Sequence, residues 1–152
     1  LLSNSNPYTP AVNLVFALDE SLKMMKDEGL DKIFKRHERH KLAVSEAAKK
    51  LNLKLFADQK YLSPAVTAIE VGDIDAEQFR KTIKNKYDIL LAGGQDHLKG
   101  KIFRIGHLGY INDRDIISVI AAIGNTLVEQ NKISTEKAGE ALKTASFHLT
   151  ET

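Results

Sequence analysis

The segment DILLAGGQDHLKGKIFRIGHLG, residues 88–109, carries the strongest fold signal in the chain. An apolar run from Ile89 to Ala92 breaks at Gly93-Gly94, crosses a polar loop through Lys99-Gly100, and re-enters an extended run from Lys101 to Ile105. Two β-prone runs joined by a glycine-bearing loop predict a hairpin. Side chains alternate along a strand, so Phe103 and Ile105 share one face and Arg104 points to the other. A guanidinium there is solvated, paired with an acid, or open to an anionic ligand. Its planar fork suits a carboxylate in a way a lysine does not.

The chain on either side supplies helices and two more strands. Upstream, residues 3–10 are polar and punctuated by Pro7 and Pro10, which predicts an irregular lead-in. A first helix is expected from Ala11, with Thr9 as its cap, Pro10 in its first turn and Gly29 at its end. Its apolar stripe is Leu14, Leu18, Leu22 and Met25, widened by Val15. A second helix over residues 31–51 has Ile33, Phe34, His37, Val44, Ala47, Ala48 and Leu51 on its apolar face, with Arg36 and Arg39 outward. Residues 53–56 and 66–71 alternate and predict two strands, after which Asp75 caps a helix carrying Phe79, Ile83 and Tyr87. Beyond the hairpin, Asn112-Asp-Arg-Asp115 opens a helix with acids in its first turn. Ser134 caps a last helix, and residues 148–152 are expected to fray. The order predicts an α+β chain with a mixed, mainly antiparallel sheet of about four strands, helices on one face, and a long first helix.

Composition excludes several functions. At 152 residues, one domain able to bury roughly 70% of its unfolded surface is expected. The 22 basic and 20 acidic residues leave a net charge of +2, too little to predict nucleic-acid or membrane-surface binding. No apolar run reaches the ~18 residues of a spanning helix, and no signal peptide is visible, so a cytoplasmic domain is expected. There is no cysteine, hence no disulfide, thiolate catalyst or iron–sulfur ligand. The opening Leu1-Leu2, without Met, is what a piece of a longer protein would show.

Few constellations point to chemistry by themselves. Gly93-Gly94 lacks dinucleotide-loop spacing and no helix follows it. Asp96-His97 has no partnered nucleophile, which argues against a self-contained hydrolase. Helix capping accounts for Asp113 and Asp115. His107, between two glycines at a strand end, is a backbone-bonded turn residue at least as readily as a catalyst. His37 and His40 share adjacent turns, but the surrounding lysines and arginines would repel a cation. A solvated basic face is the better reading.

The stretch LLAGGQDHLKGKIFRIGHLGY, residues 90–110, resembles the closing segment of the class V aminotransferases of the alanine–glyoxylate and serine–pyruvate type. These are pyridoxal-phosphate enzymes, and some relatives carry the label soluble hydrogenase small subunit. The resemblance covers nearly the whole chain but only the C-terminal part of such an enzyme. It implies a lead-in over residues 1–10, a small domain over residues 11–152, and an absent N-terminal large domain. It gives Arg104 the role of gripping the substrate α-carboxylate. Thr9, in T-P-A-V, matches a residue reaching the phosphate of the neighbouring subunit's pyridoxal phosphate in a homodimer. Tyr8 does not stand at the offset of the tyrosine that some relatives use for that phosphate; Asn6 does. The lysine that carries the cofactor, the residue that stacks on its ring and the acid on its ring nitrogen lie upstream in the family. No catalytic residue or metal ligand is therefore assigned. The cofactor is expected in a full-length parent rather than on this chain alone, which should be inactive. The implied substrates are an amino acid and a 2-oxo acid such as glyoxylate or pyruvate. The alternatives are a stand-alone anion-binding regulatory domain, with Arg104 as its site, and a non-catalytic subunit of a redox complex.

Overall fold

The computed structural model describes residues 8–150, and these fall into two compact units that part between Lys35 and Arg36. In the first unit, residues 8–11 lead irregularly into α1 (Val12–Glu28); the rest of the expected lead-in lies outside the described residues. The N-cap is Ala11, not Thr9, and no side chain caps the helix. Backbone carbonyls do that work instead, with Val12 N bonding Pro10 O at 2.9 Å and Leu14 N bonding Ala11 O at 3.0 Å. Gly29 closes α1 at φ 85°, a conformation only glycine adopts at little cost, and its N–H reaches Met25 O. No residue of α1 is buried, and Leu14 remains 71% exposed.

α2 (Leu30–Lys50) runs from the first unit into the second. Its apolar pattern holds from Ala43 onwards, where Ala43, Val44, Ala47 and Ala48 are buried, but Phe34 is exposed. In the second unit, β1 (Lys54–Leu55), β2 (Val66–Glu70), β3 (Ala92–Gly93) and β4 (Ile102–Gly106) form one sheet in the order β1-β2-β4-β3. Every pairing is antiparallel. α3 (Ala76–Tyr87), α4 (Asp113–Glu129) and α5 (Thr135–Thr150) complete it. Ile69, Phe103 and Ile105 on one sheet face join Phe79 and Ile83 of α3 and Ile116, Ile120, Ile123 and Leu127 of α4 in one core. Phe79 and Phe103 stack with ring centroids 5.5 Å apart, a pairing that adds to the apolar area both bury.

The run Ile89–Ala92 yields a shorter strand than its composition predicts. Asp88 ends α3 in the left-handed region, and Leu90 then faces solvent while Leu91 is buried. Only residues 92 and 93 pair with β4. The loop that follows folds back tightly: a Cβ on Gly94 would lie 2.1 Å from the Leu98 carbonyl oxygen, so glycine is required there. α5 continues to Thr150 with Leu149 buried, so the chain does not fray from residue 148; residues 151–152 lie outside the described residues.

The start of α4 bears out its sequence signal. Asn112 Oδ1 accepts from Arg114 N at 2.9 Å and Asp115 N at 3.3 Å, while Asp115 Oδ2 accepts from Asn112 N at 2.9 Å. This reciprocal capping box satisfies otherwise orphaned helix N–H groups. Asn112→Ala should cost about 1 kcal/mol in chemical denaturation, and an unchanged midpoint would show that the cap contributes nothing.

Candidate functional site

Arg104 stands in the middle of β4, on the sheet face opposite the core. Its cross-strand partners are Ala68 on β2 and Ala92 on β3, so only methyl groups flank it along that face. The side chain is half-buried. Its Nε donates to the Gly93 carbonyl at 3.0 Å. Among the described residues no carboxylate pairs with it and neither Nη atom has a hydrogen-bond partner. Glu70, an acid on the same face, is engaged by Lys54 Nζ at 3.0 Å. A guanidinium held by one arm, with its other edge open, is the arrangement a ligand carboxylate uses.

Thr9 lies exposed in the first unit, ahead of α1. Asp96 and His97 are exposed on a short 3-10 turn, Asp96–Leu98, and neither bonds Arg104. Lys99 and Lys101 are exposed on the same loop.

His107 is fully buried and committed to structure. A carbonyl can only accept, so Nδ1–H donates to Pro64 O at 3.1 Å, and Nε2 then accepts from Thr67 Oγ1 at 2.9 Å. With the His107 N–H bonding Ala65 O at 2.9 Å, the residue fastens the end of β4 to the entry of β2. Burial is the main cause that lowers its pKa to about 4; the Pro64 hydrogen bond opposes this, and the nearby His40 and His37 add to it.

A second cluster was not legible from spacing. Arg36 and Arg39 do not point outward, and His40 is fully buried rather than part of a solvated basic face. Arg36 Nη1 donates to Gly109 O and Ile111 O, each at 3.0 Å, and His37 Nε2 accepts from Gly109 N at 3.2 Å. Asp113 Oδ1 accepts from His40 Nε2 at 2.8 Å and from Arg39 Nη2 at 3.0 Å. Asp113 is thus more than a first-turn acid: it ties α4 to α2. Its partial burial would raise its pKa, but the hydrogen bonds from His40 and Arg39 outweigh this and lower it. Burial lowers the His40 pKa, the Asp113 contact opposes this, and the charges of Arg39 and Arg36 reinforce it. Positions 36, 37, 39 and 40 sit on adjacent turns of one helix, which is the only trace of this clasp in the sequence. Their partners are backbone atoms and one carboxylate some seventy residues away, which side-chain patterning does not encode.

No protein-family model matches the chain. It is 53% identical over 126 residues to the "Soluble hydrogenase 42 kDa subunit" of Anabaena cylindrica, covering 83% of this chain and 33% of that protein. To the (S)-ureidoglycine–glyoxylate transaminase of Bacillus subtilis it is 34% identical over 142 residues, covering 92% of this chain and 34% of that protein. The crystal structure of the ureidoglycine–glyoxylate aminotransferase from the same organism superimposes with a TM-score of 0.84 at 32% identity, over 92% of this chain and 37% of that one. The chain spans about a third of the length of these relatives.

Proposed function

The chain belongs to the class V aminotransferases, as their C-terminal small domain, and from that premise we propose that it supplies the substrate-carboxylate site of a pyridoxal-phosphate-dependent aminotransferase. The observation that carries this reading is the open Nη edge of Arg104, flanked by alanines and unopposed by any described acid. The substrates are an amino acid and a 2-oxo acid of the glyoxylate or pyruvate type. A planar carboxylate common to both is what a guanidinium fork recognises.

Residues 11–152 serve as the small domain of a longer, cytoplasmic, homodimeric enzyme whose large domain holds the cofactor. Bound there, pyridoxal phosphate supplies the electron sink for amino transfer. What this chain offers fits two anions: the exposed hydroxyl of Thr9 can donate to the cofactor phosphate across the dimer, and Arg104 holds the substrate. Alone, the chain binds and orients but does not transfer an amino group. The hydrogenase name of the Anabaena relative suggests a second reading, a subunit of a redox assembly. The chain contains no cysteine, so it contributes no thiolate to an iron–sulfur or nickel centre.

The test is Arg104→Lys in the full-length polypeptide. Lysine keeps the charge and loses the fork. Losing one charge-assisted hydrogen bond costs about 1.5–3 kcal/mol, hence roughly ten- to hundredfold in kcat/KM for the amino acid. Cofactor binding should survive, and amines lacking an α-carboxylate should be indifferent to the change. Equal losses for both substrate kinds would make Arg104 a structural residue.

A further inference from the structure

Arg104 donates to the backbone oxygen of Gly93, and a second arginine bonds the chain two residues before it. Arg80, on α3, donates from Nε to Leu91 O at 2.7 Å, just before β3 begins. Its Nη1 is held by Glu77 Oε2 at 2.8 Å. This pair lies directly against Gly93: a Cβ there would come within 2.5 Å of Arg80 Nη1 and 2.7 Å of Glu77 Oε1. Gly93 pairs with Phe103, so the hydrogen that stands in for a side chain faces the core side, where α3 packs. Its carbonyl meanwhile accepts from Arg104 Nε at 3.0 Å. β3 is a two-residue edge strand, and pairing with β4 alone gives it little rigidity.

We propose that Arg80 and Glu77 are positioning residues for Arg104: they dock β3 on α3 in the space that the missing side chain of Gly93 leaves, and so fix the carbonyl that orients the Arg104 guanidinium. Because Nε is committed to Gly93, the edge presented to a ligand carboxylate is the Nη1–Nη2 pair. The long side chain is ordered before a ligand arrives, which removes much of the rotamer entropy that binding would otherwise cost. Neither Arg80 nor Glu77 touches the substrate. This inference rests on the carboxylate reading of Arg104, and the two are separable by experiment.

Arginine side-chain ¹⁵N NMR of the 152-residue chain follows the Arg104 Nε–H directly, with sodium acetate as the carboxylate probe. In the native chain, acetate is expected to move the Arg104 Nη signals and leave Nε in place. Arg80→Ala should speed exchange of the Arg104 Nε–H roughly tenfold, the equivalent of one ordinary hydrogen bond. It should also weaken acetate binding severalfold. Glu77→Gln, a milder change at the helix surface, should do the same to a smaller extent and covers the case in which Arg80→Ala fails to fold. In an Arg104→Lys background, Arg80→Ala should add no further loss of acetate binding, whereas a merely structural role would remain additive. If acetate moves the Nη signals but both variants leave the Nε–H protected, the positioning role is wrong and the carboxylate reading stands. If saturating acetate leaves the Nη signals unmoved, the carboxylate reading falls, and this proposal falls with it.

Discussion

Phe103→Ala is expected to destabilise the unit that begins at Arg36 by about 3–5 kcal/mol, the range for truncating a fully buried phenylalanine. Three contributions combine at this position. The ring is fully buried, it stacks on Phe79 at 5.5 Å, and it sits on the central pair of strands between Ile69 and Gly93. Small Gly93 on one side gives the site few atoms with which to collapse into the cavity. The change should also reach Arg104, whose neighbour in sequence anchors the strand from the other face. Urea unfolding of native and variant chains measures the loss. A cost near 1 kcal/mol, typical of an arbitrary substitution, would mean that Phe103 is not a core anchor.

Acid should weaken the same unit through its buried histidines. His107 has a folded pKa of about 4 against an ordinary value of 6.5. Above pH 6.5 the ring is neutral folded or unfolded, and stability is flat. Below it the unfolded chain takes up a proton that the folded chain refuses, so stability falls as pH drops, until the buried ring also protonates near 4. The gap corresponds to roughly 3 kcal/mol at full extent. The direction at His40 is the same, because burial also lowers its pKa, so the two histidines add. Asp113 acts at lower pH: its pKa is depressed below 3.8, and its contribution is lost only as pH falls through that depressed value. Denaturation midpoints at pH 7 and pH 4.5 should therefore differ by a few kcal/mol in stability. His107→Gln should flatten most of the slope; a slope that survives it unchanged would locate the titration elsewhere.

The fold was largely legible because most of its elements carry local signals. Asn112 and Asp115 form their capping box from atoms three residues apart, and the Asp75 carboxylate caps α3 by accepting from Glu77 N and Gln78 N. Apolar periodicity placed α3, capping residues placed the starts of α4 and α5, and alternation placed Arg104 opposite Phe103 and Ile105. Local signals misled where a backbone alternative existed. Thr9 was the natural cap by residue type, yet the turn at Pro10 and Ala11 satisfies the first N–H groups of α1 without it. The Ile89–Ala92 run has strand composition, but the left-handed turn at Asp88 uses most of it as a connection.

The sequence by itself determined the α+β class, the helix starts to within a residue or two, and the face of β4 on which Arg104 stands. These follow from periodicity and capping, which act over a few residues. Only the tertiary structure decided how the polar groups are spent. It committed Glu70 to Lys54 and left the Nη edge of Arg104 open. It turned His107 into a buried fastener, and it gathered Arg36, His37, Arg39 and His40 onto a loop and an aspartate far along the chain. It also placed Arg80 against Gly93. Each of these depends on which long side chain reaches which distant carbonyl or carboxylate, and no local pattern records that distance.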